Sequence, residues 1–193
     1  MKKHILILIL TTFLISCNVK GNQERILISN DSNSKTESLN QTKADSISSK
    51  EYGQLILNGK VKPTDNEATY NCLLELIAEN QNDLDFYFSV YRKISENADG
   101  ALSEMICGII KTFFELNPDF CIEKLKSFEL KEKDSFLEYI AYEFYASGID
   151  YETDINEYIE RAEMKLIDKS LSNLETLEEV KGQLIIKAKQ MNE

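Results

Sequence analysis

Residues 102–118, with the sequence LSEMICGIIKTFFELNP, decide the fold of this chain. The apolar side chains recur every three or four residues, which is the spacing of one face of an α-helix. We expect this helix to end at Asn117, because Pro118 lacks a backbone N–H and is tolerated only in a helix's first turn. The predicted apolar face consists of Leu102, Met105, Ile106, Ile109, Ile110, Phe113 and Leu116.

The same helical period continues on both sides of this stretch. It predicts one apolar face before the stretch and one after it, namely Tyr70, Leu73, Leu74 and Ile77, and then Ile155, Tyr158, Ile159, Ala162 and Leu166. Asn82 or Asp83 is placed to cap the preceding helix, and Pro118 to begin the following one. Residues 136–145 are apolar nearly all round, which indicates a central, buried helix ending at Gly148. We therefore predict an all-α domain over residues 51–193, an irregular helical bundle or short α-solenoid of about seven helices.

Two local features leave alternatives open. Residues 52–59 fit either a short helix stopped by Asn58-Gly59 or a hairpin turning there, and we prefer the helix. The turns near residues 80–83 and 117–119 suggest a repeat of about 35 residues, the length of stacked helical pairs. This architecture loosely resembles HEAT and tetratricopeptide arrays, although the tetratricopeptide tryptophan is absent.

Residues 18–50 differ from the rest in composition. They contain long runs of Ser, Asn, Asp, Lys, Thr and Glu with few apolar side chains. Such a segment buries too little surface to offset its ordering entropy, so we predict a disordered tether. Together with Cys17 it forms the second region of the chain, residues 17–50.

Residues 1–16 have the pattern of a secretory signal peptide. Lys2 and Lys3 precede an apolar run, and the run ends in Leu14-Ile15-Ser16-Cys17. The run is too short for a membrane-spanning helix, which needs about 20 apolar residues. The motif resembles the lipobox of bacterial lipoproteins. The resemblance implies cleavage between Ser16 and Cys17 and acyl chains on Cys17.

The lipobox-like motif implies a cellular location, and the net charge of the mature chain limits the classes of partner it can bind. Cleavage takes away two of the 22 basic residues and none of the 33 acidic ones, so the net charge becomes −13. This balance is opposite to that of nucleic-acid-binding proteins. We expect membrane contact through the acyl chains on Cys17 and a lipid-anchored location in the bacterial cell envelope. Asn18 favours the outer membrane if the envelope has two membranes.

Residue types also restrict the chemistry. The single histidine, His4, lies in the signal peptide, so the mature chain has no Ser-His-Asp triad and no histidine-ligated metal site. We expect no catalytic residue, no metal and no cofactor. The remaining cysteines, Cys72, Cys107 and Cys121, lie in apolar helical stretches and are interpreted as small buried side chains. A Cys107–Cys121 disulfide is the alternative.

Three acidic or aromatic regions are candidate sites. The loop at residues 150–156 alternates acids and amides as a calcium loop does, but Ile155 and Arg161 occupy the glycine and glutamate positions, so a helix start is preferred. The loop at residues 95–104 and the tyrosine-rich helices are candidates for a contact surface. That possible interaction surface comprises Asp99, Ser103, Tyr87, Tyr91 and Tyr142.

Two functional hypotheses follow. The first is a non-catalytic interaction or scaffolding lipoprotein that binds an unknown envelope protein. The second is an envelope ligand-binding protein or a hydrolase that uses carboxylates. A deep pocket with converging buried acids favours the second hypothesis, because such acids have the perturbed proton affinity that catalysis needs.

Overall fold

The computed structural model describes residues 47–80, 82–148 and 150–193, and these ranges contain eight helices and no strand. The all-α prediction is confirmed. The signal peptide, Cys17 and most of the predicted tether lie outside the described residues. The helices are α1 Ser49–Leu57, α2 Glu67–Leu74, α3 Leu84–Ser95, α4 Gly100–Leu116, α5 Pro118–Ser127, α6 Leu130–Ser147, α7 Tyr151–Lys165 and α8 Leu171–Met191.

The ambiguous segment near the start of the domain is a helix. Ser48 and Glu51 form a capping box, in which each side chain accepts the other's backbone N–H. The helix begins at Ser49, two residues before the predicted boundary. It ends at Leu57 with Asn58 as its C-cap, and Gly59 follows with φ of +66°, a conformation that glycine adopts without steric cost.

Other predicted helix ends are also confirmed. Asp83 occupies the N-cap position of α3, where its side chain pairs with Lys50 and forms no capping hydrogen bond, and Pro118 is the first residue of α5. Gly148 ends α6 in the left-handed conformation, with φ of +83°. These ends depend on backbone chemistry within a few residues, which is why a single sequence reveals them.

The helices pack in two groups. Helices α1, α2 and α3 contact one another, while α6 lies between α4 and α8. Helix α7 packs on all three of these helices, and α5 contacts α4, α7 and α8. The row of alternate helices α4, α6 and α8 resembles a short helical array, but the first three helices form their own cluster, so the arrangement is irregular.

Aromatic rings join the two groups into one core. Phe88 of α3 lies 5.3–5.9 Å, between ring centroids, from four other rings, namely Tyr91, Phe113, Phe120 and Phe128. Phe136 of α6 continues the cluster through Phe128 and Phe114, and Phe114 stacks on Tyr158 of α7 at 5.9 Å. Rings at these separations add about 0.5–1.5 kcal/mol per pair beyond their buried area.

Three side chains differ from the predicted helix faces. Tyr70 is 41% exposed, because α2 buries the neighbouring face that carries Thr69, Cys72 and Leu73. Leu116 is 45% exposed, because α4 ends there. Phe114, outside the predicted stripe, is fully buried because α4 is covered by α6 on one side and α7 on another.

The close approach of α1 to α3 generates a prediction about two helical glycines. A Cβ at Gly53 would lie 3.0 Å from Val90 Cγ2 and 3.2 Å from the Phe86 ring, whereas a Cβ at Gly182 would meet nothing within 4 Å. We expect Gly53→Ala to lower the free energy of unfolding by about 1–3 kcal/mol through overpacking. The matched Gly182→Ala should raise it by about 0.5–1 kcal/mol.

Urea denaturation followed by circular dichroism measures both changes. Because the two substitutions are chemically identical and both lie in helices, their difference isolates the packing at Gly53. Equal effects of the two variants would show that α1 does not approach α3 this closely.

Candidate functional site

An open cavity of about 360 Å³ lies between α4, α6 and the end of α8. This volume falls in the range of small-ligand sites, which runs from about 300 to 1,000 Å³. We call it the α4–α6 cavity. Its lining residues are Gly100, Ser103, Glu104 and Cys107 from α4, Ser135, Glu138, Tyr139 and Tyr142 from α6, and Met191 from α8.

Two matching helical stripes form the walls. In α4 the lining residues are 100, 103, 104 and 107, and in α6 they are 135, 138, 139 and 142. Both sets have the same spacing, because the second, third and fourth members lie three, four and seven positions after the first. This spacing places each set on one helix face. Besides Cys107, Tyr139 and Tyr142, the stripes carry glycine, serine and glutamate where the core faces of the same helices carry leucine, isoleucine and phenylalanine. Small and charged side chains do not fill the space between helices, so a cavity remains.

Ion pairs fix α6 against α8 beside the cavity. Lys133 Nζ lies 2.7 Å from Glu179 Oε1, and Asp134 pairs with Lys187. The α6 members of these pairs, Lys133 and Asp134, immediately precede Ser135, the first cavity residue of α6. Pairs of this kind contribute little to stability, about 0–1 kcal/mol, but they favour one register between the helices.

The inner wall is a small polar network. Cys107 Sγ donates to the backbone oxygen of Ser103 at 3.1 Å, and the Ser103 hydroxyl lies near Tyr139. Burial raises the pKa of Tyr139, and the Ser103 hydroxyl opposes this rise only in part. Both tyrosine and thiol are therefore neutral at physiological pH and act as hydrogen-bonding groups.

The rim is negatively charged. Glu104 and Glu138 are exposed, and no lysine or arginine lines the cavity. Neither carboxylate forms an ion pair with any residue in the described part of the chain. Burial, followed by the negative charge of Glu143, raises the pKa of Cys107 to about 12, and Glu104 and Glu138 act in the same direction.

This arrangement determines what the cavity can do chemically. A thiol with a pKa near 12 is not a nucleophile at neutral pH, because the thiolate is the reactive form. The two rim carboxylates face solvent and are not a converging buried pair of the kind that general acid–base catalysis uses. The groups present can bind a cation and accept or donate hydrogen bonds.

The residues predicted for an interaction surface separate into two sets. Ser103 and Tyr142 line the α4–α6 cavity, and Asp99 is the exposed N-cap of α4 next to Gly100. Tyr87 and Tyr91 are 8% and 3% exposed and belong to the core, so they are not on the surface. Their helical spacing reflects packing of α3. Ser16 and Cys17 lie outside the described residues.

Sequence reasoning missed most of the cavity lining, including Glu104 as a rim acid, Cys107, Ser135, Glu138, Tyr139 and Met191. A signal was present in α6, where Ser135, Glu138, Tyr139 and Tyr142 form a second stripe beside the core stripe. Which helix would face that stripe depends on tertiary packing, and no local pattern contains this information.

The acidic loop at residues 150–156 and the three cysteines have structural roles. Asp150 is the N-cap of α7 and accepts the backbone N–H of Thr153, so the acidic loop is a helix start, as preferred. The described residues contain no cluster of histidine, cysteine or acidic side chains able to hold a metal ion. Cys72, Cys107 and Cys121 are buried and free, in agreement with their interpretation as small buried side chains, and Cys107 also lines the cavity.

No protein-family model, curated protein or solved structure significantly matches the chain. Within the described ranges, none of the helices combines the length and the apolar character needed to cross a membrane.

The buried thiols generate a prediction about pH. Burial raises the pKa of Cys72 and Cys107 to about 12, whereas a thiol in the unfolded chain ionises near pH 8.5–9. The folded state therefore holds protons that the unfolded state has released, and stability falls as pH rises from 9 toward 12. Each thiol should remove about 1 kcal/mol of unfolding free energy between pH 9 and pH 10.

Urea midpoints at pH 8, 9 and 10 test this expectation. The variant Cys72→Ala/Cys107→Ala is the comparison, because it lacks both thiols and should lose less stability across the same interval. An identical pH dependence in the variant and the parent chain would contradict the assignment.

Proposed function

We propose that this protein is a non-catalytic interaction module, held in the bacterial cell envelope by acyl chains on Cys17, that binds a partner protein through the α4–α6 cavity and its rim. The anchor is inferred from the lipobox-like run that ends at Cys17. The binding role is supported by the open cavity with its unpaired rim carboxylates. Those carboxylates face solvent, which favours contact with a partner over proton transfer.

A second candidate function is the binding of a small envelope ligand. The observation that favours it is the cavity volume of about 360 Å³, which suits a small molecule. The two candidates share a site and differ in occupant.

Site-specific photocrosslinking in intact cells tests the proposed function. A photoreactive phenylalanine analogue at Tyr142, beside the cavity, should yield a crosslinked adduct with an envelope protein. The control analogue replaces Glu160, an exposed residue of α7 outside the cavity lining. This control position should give no adduct or a much weaker one.

Three results would contradict the proposal or redirect it. Absence of any protein adduct at Tyr142 argues against a protein partner, and equal adducts at both positions argue against the cavity as the site. A mass increase from a small molecule at Tyr142, without a protein, supports the ligand-binding alternative.

The anchor generates a separate prediction. Replacement of the lipidated residue in Cys17→Ser should prevent acylation and move the protein from the membrane fraction to the soluble fraction. Incorporation of an alkyne-labelled fatty acid provides the direct measurement. The variant Cys72→Ser is the control, because it also removes a cysteine and should keep the label. Retention of label in Cys17→Ser would refute the lipobox assignment.

A further inference from the structure

We infer that the α4–α6 cavity receives a basic side chain, an arginine, from a basic segment of the partner protein. This inference rests on the proposed function, since it names the chemistry of the partner at the same site.

Charge provides the first argument. Two carboxylates, Glu104 and Glu138, flank the cavity, and Glu143 is close enough to raise the pKa of the cavity thiol. The lining contains no basic residue, and neither rim carboxylate forms an ion pair within the described ranges. A cation that enters therefore meets two carboxylates that have no lysine or arginine partner in the described part of the chain. Complementary charge of this kind accelerates association and selects partners.

The aromatic rings provide the second argument. Elsewhere in the molecule, a lysine or arginine lies over each of four phenylalanine rings, with Lys111 Nζ 3.9 Å from the centre of the Phe144 ring. Tyr139 and Tyr142 are half-buried in the cavity wall, and no cation of the described residues covers either ring. A cation above such a ring gains about 0.5–2 kcal/mol.

The combination of these groups selects arginine. A guanidinium is planar, stacks on aromatic faces and donates two parallel hydrogen bonds to a carboxylate. It also donates to hydroxyl oxygens such as those of Ser103 and Ser135. The ammonium group of lysine is a compact point charge that cannot form two parallel hydrogen bonds to a carboxylate or stack on an aromatic ring. Lysine should therefore bind more weakly than arginine.

The test uses the full chain purified in detergent micelles and two uncharged-backbone probes, N-acetyl-arginine amide and N-acetyl-citrulline amide. Citrulline has nearly the shape of arginine and lacks its charge. NMR of ring-labelled tyrosine monitors binding, with resonances assigned through Tyr139→Phe and Tyr142→Phe. We expect the arginine probe to shift Tyr139 and Tyr142 and to bind about tenfold or more tightly than citrulline, which corresponds to about 1.4 kcal/mol.

Matched variants separate the cavity from the overall negative charge of the protein. Glu104→Gln/Glu138→Gln should weaken arginine binding about tenfold. Glu160→Gln/Glu175→Gln removes the same two charges from exposed positions of α7 and α8 that line no part of the cavity, and it should leave binding within about twofold. Equal losses in both double variants, or equal binding of arginine and citrulline, would overturn the inference.

The photocrosslinking experiment distinguishes failure of this inference from failure of the proposed function. The adduct at Tyr142 should decrease in Glu104→Gln/Glu138→Gln and persist in Glu160→Gln/Glu175→Gln, and its partner peptide should contain arginine. A protein adduct that persists in both variants supports the proposed function and refutes the basic segment. A crosslink from Tyr142 to the chain's own residues 17–46 would also refute it.

Discussion

The ring cluster around Phe88 is the interaction on which the rest of the structure depends. Phe88 belongs to the three-helix group, and its contacts to Phe113, Phe120 and Phe128 connect that group to α4, to α5 and to the residue that follows α5. Phe136 then extends the packing across α6. Aromatic side chains bury large areas with few rotatable bonds, so a few of them fix the relative positions of several helices.

The same packing produces the cavity. Helix α6 directs Phe136, Ile140 and Phe144 into the core, and its next face carries Ser135, Glu138, Tyr139 and Tyr142 toward α4. Tyr158 stabilises this arrangement from the other side of α4, because its hydroxyl donates to the backbone oxygen of Lys111 at 2.8 Å. A buried tyrosine whose hydroxyl has a partner combines apolar packing with a satisfied polar group. The α4–α6 cavity therefore lies on rigid helices, which suits selective binding.

Sequence reasoning succeeded where the physical cause was local. The start of α5 follows from Pro118, the end of α6 from Gly148, and the buried face of α7 from the period of Ile155, Tyr158, Ile159 and Ala162. The prediction of buried faces failed where one helix packs against two neighbouring helices. Tyr70 lies on an apolar stripe and is nevertheless exposed, while Phe114 lies off the stripe and is buried. Hydrophobic periodicity locates one buried face and does not indicate how many partners a helix has.

The sequence by itself determined several helix ends, the acidic balance, the restriction of histidine to residue 4, and the lipobox pattern that predicts an anchor at Cys17. Each of these depends on residue identity or on neighbours within a few positions. Only the tertiary structure decided that Tyr87 and Tyr91 are core residues while Tyr139 and Tyr142 line a cavity with Glu104 and Glu138. All four tyrosines have helical spacing and adjoining apolar residues. The buried and cavity-lining tyrosines differ in which helix packs against them. Contacts between residues distant in sequence determine that packing.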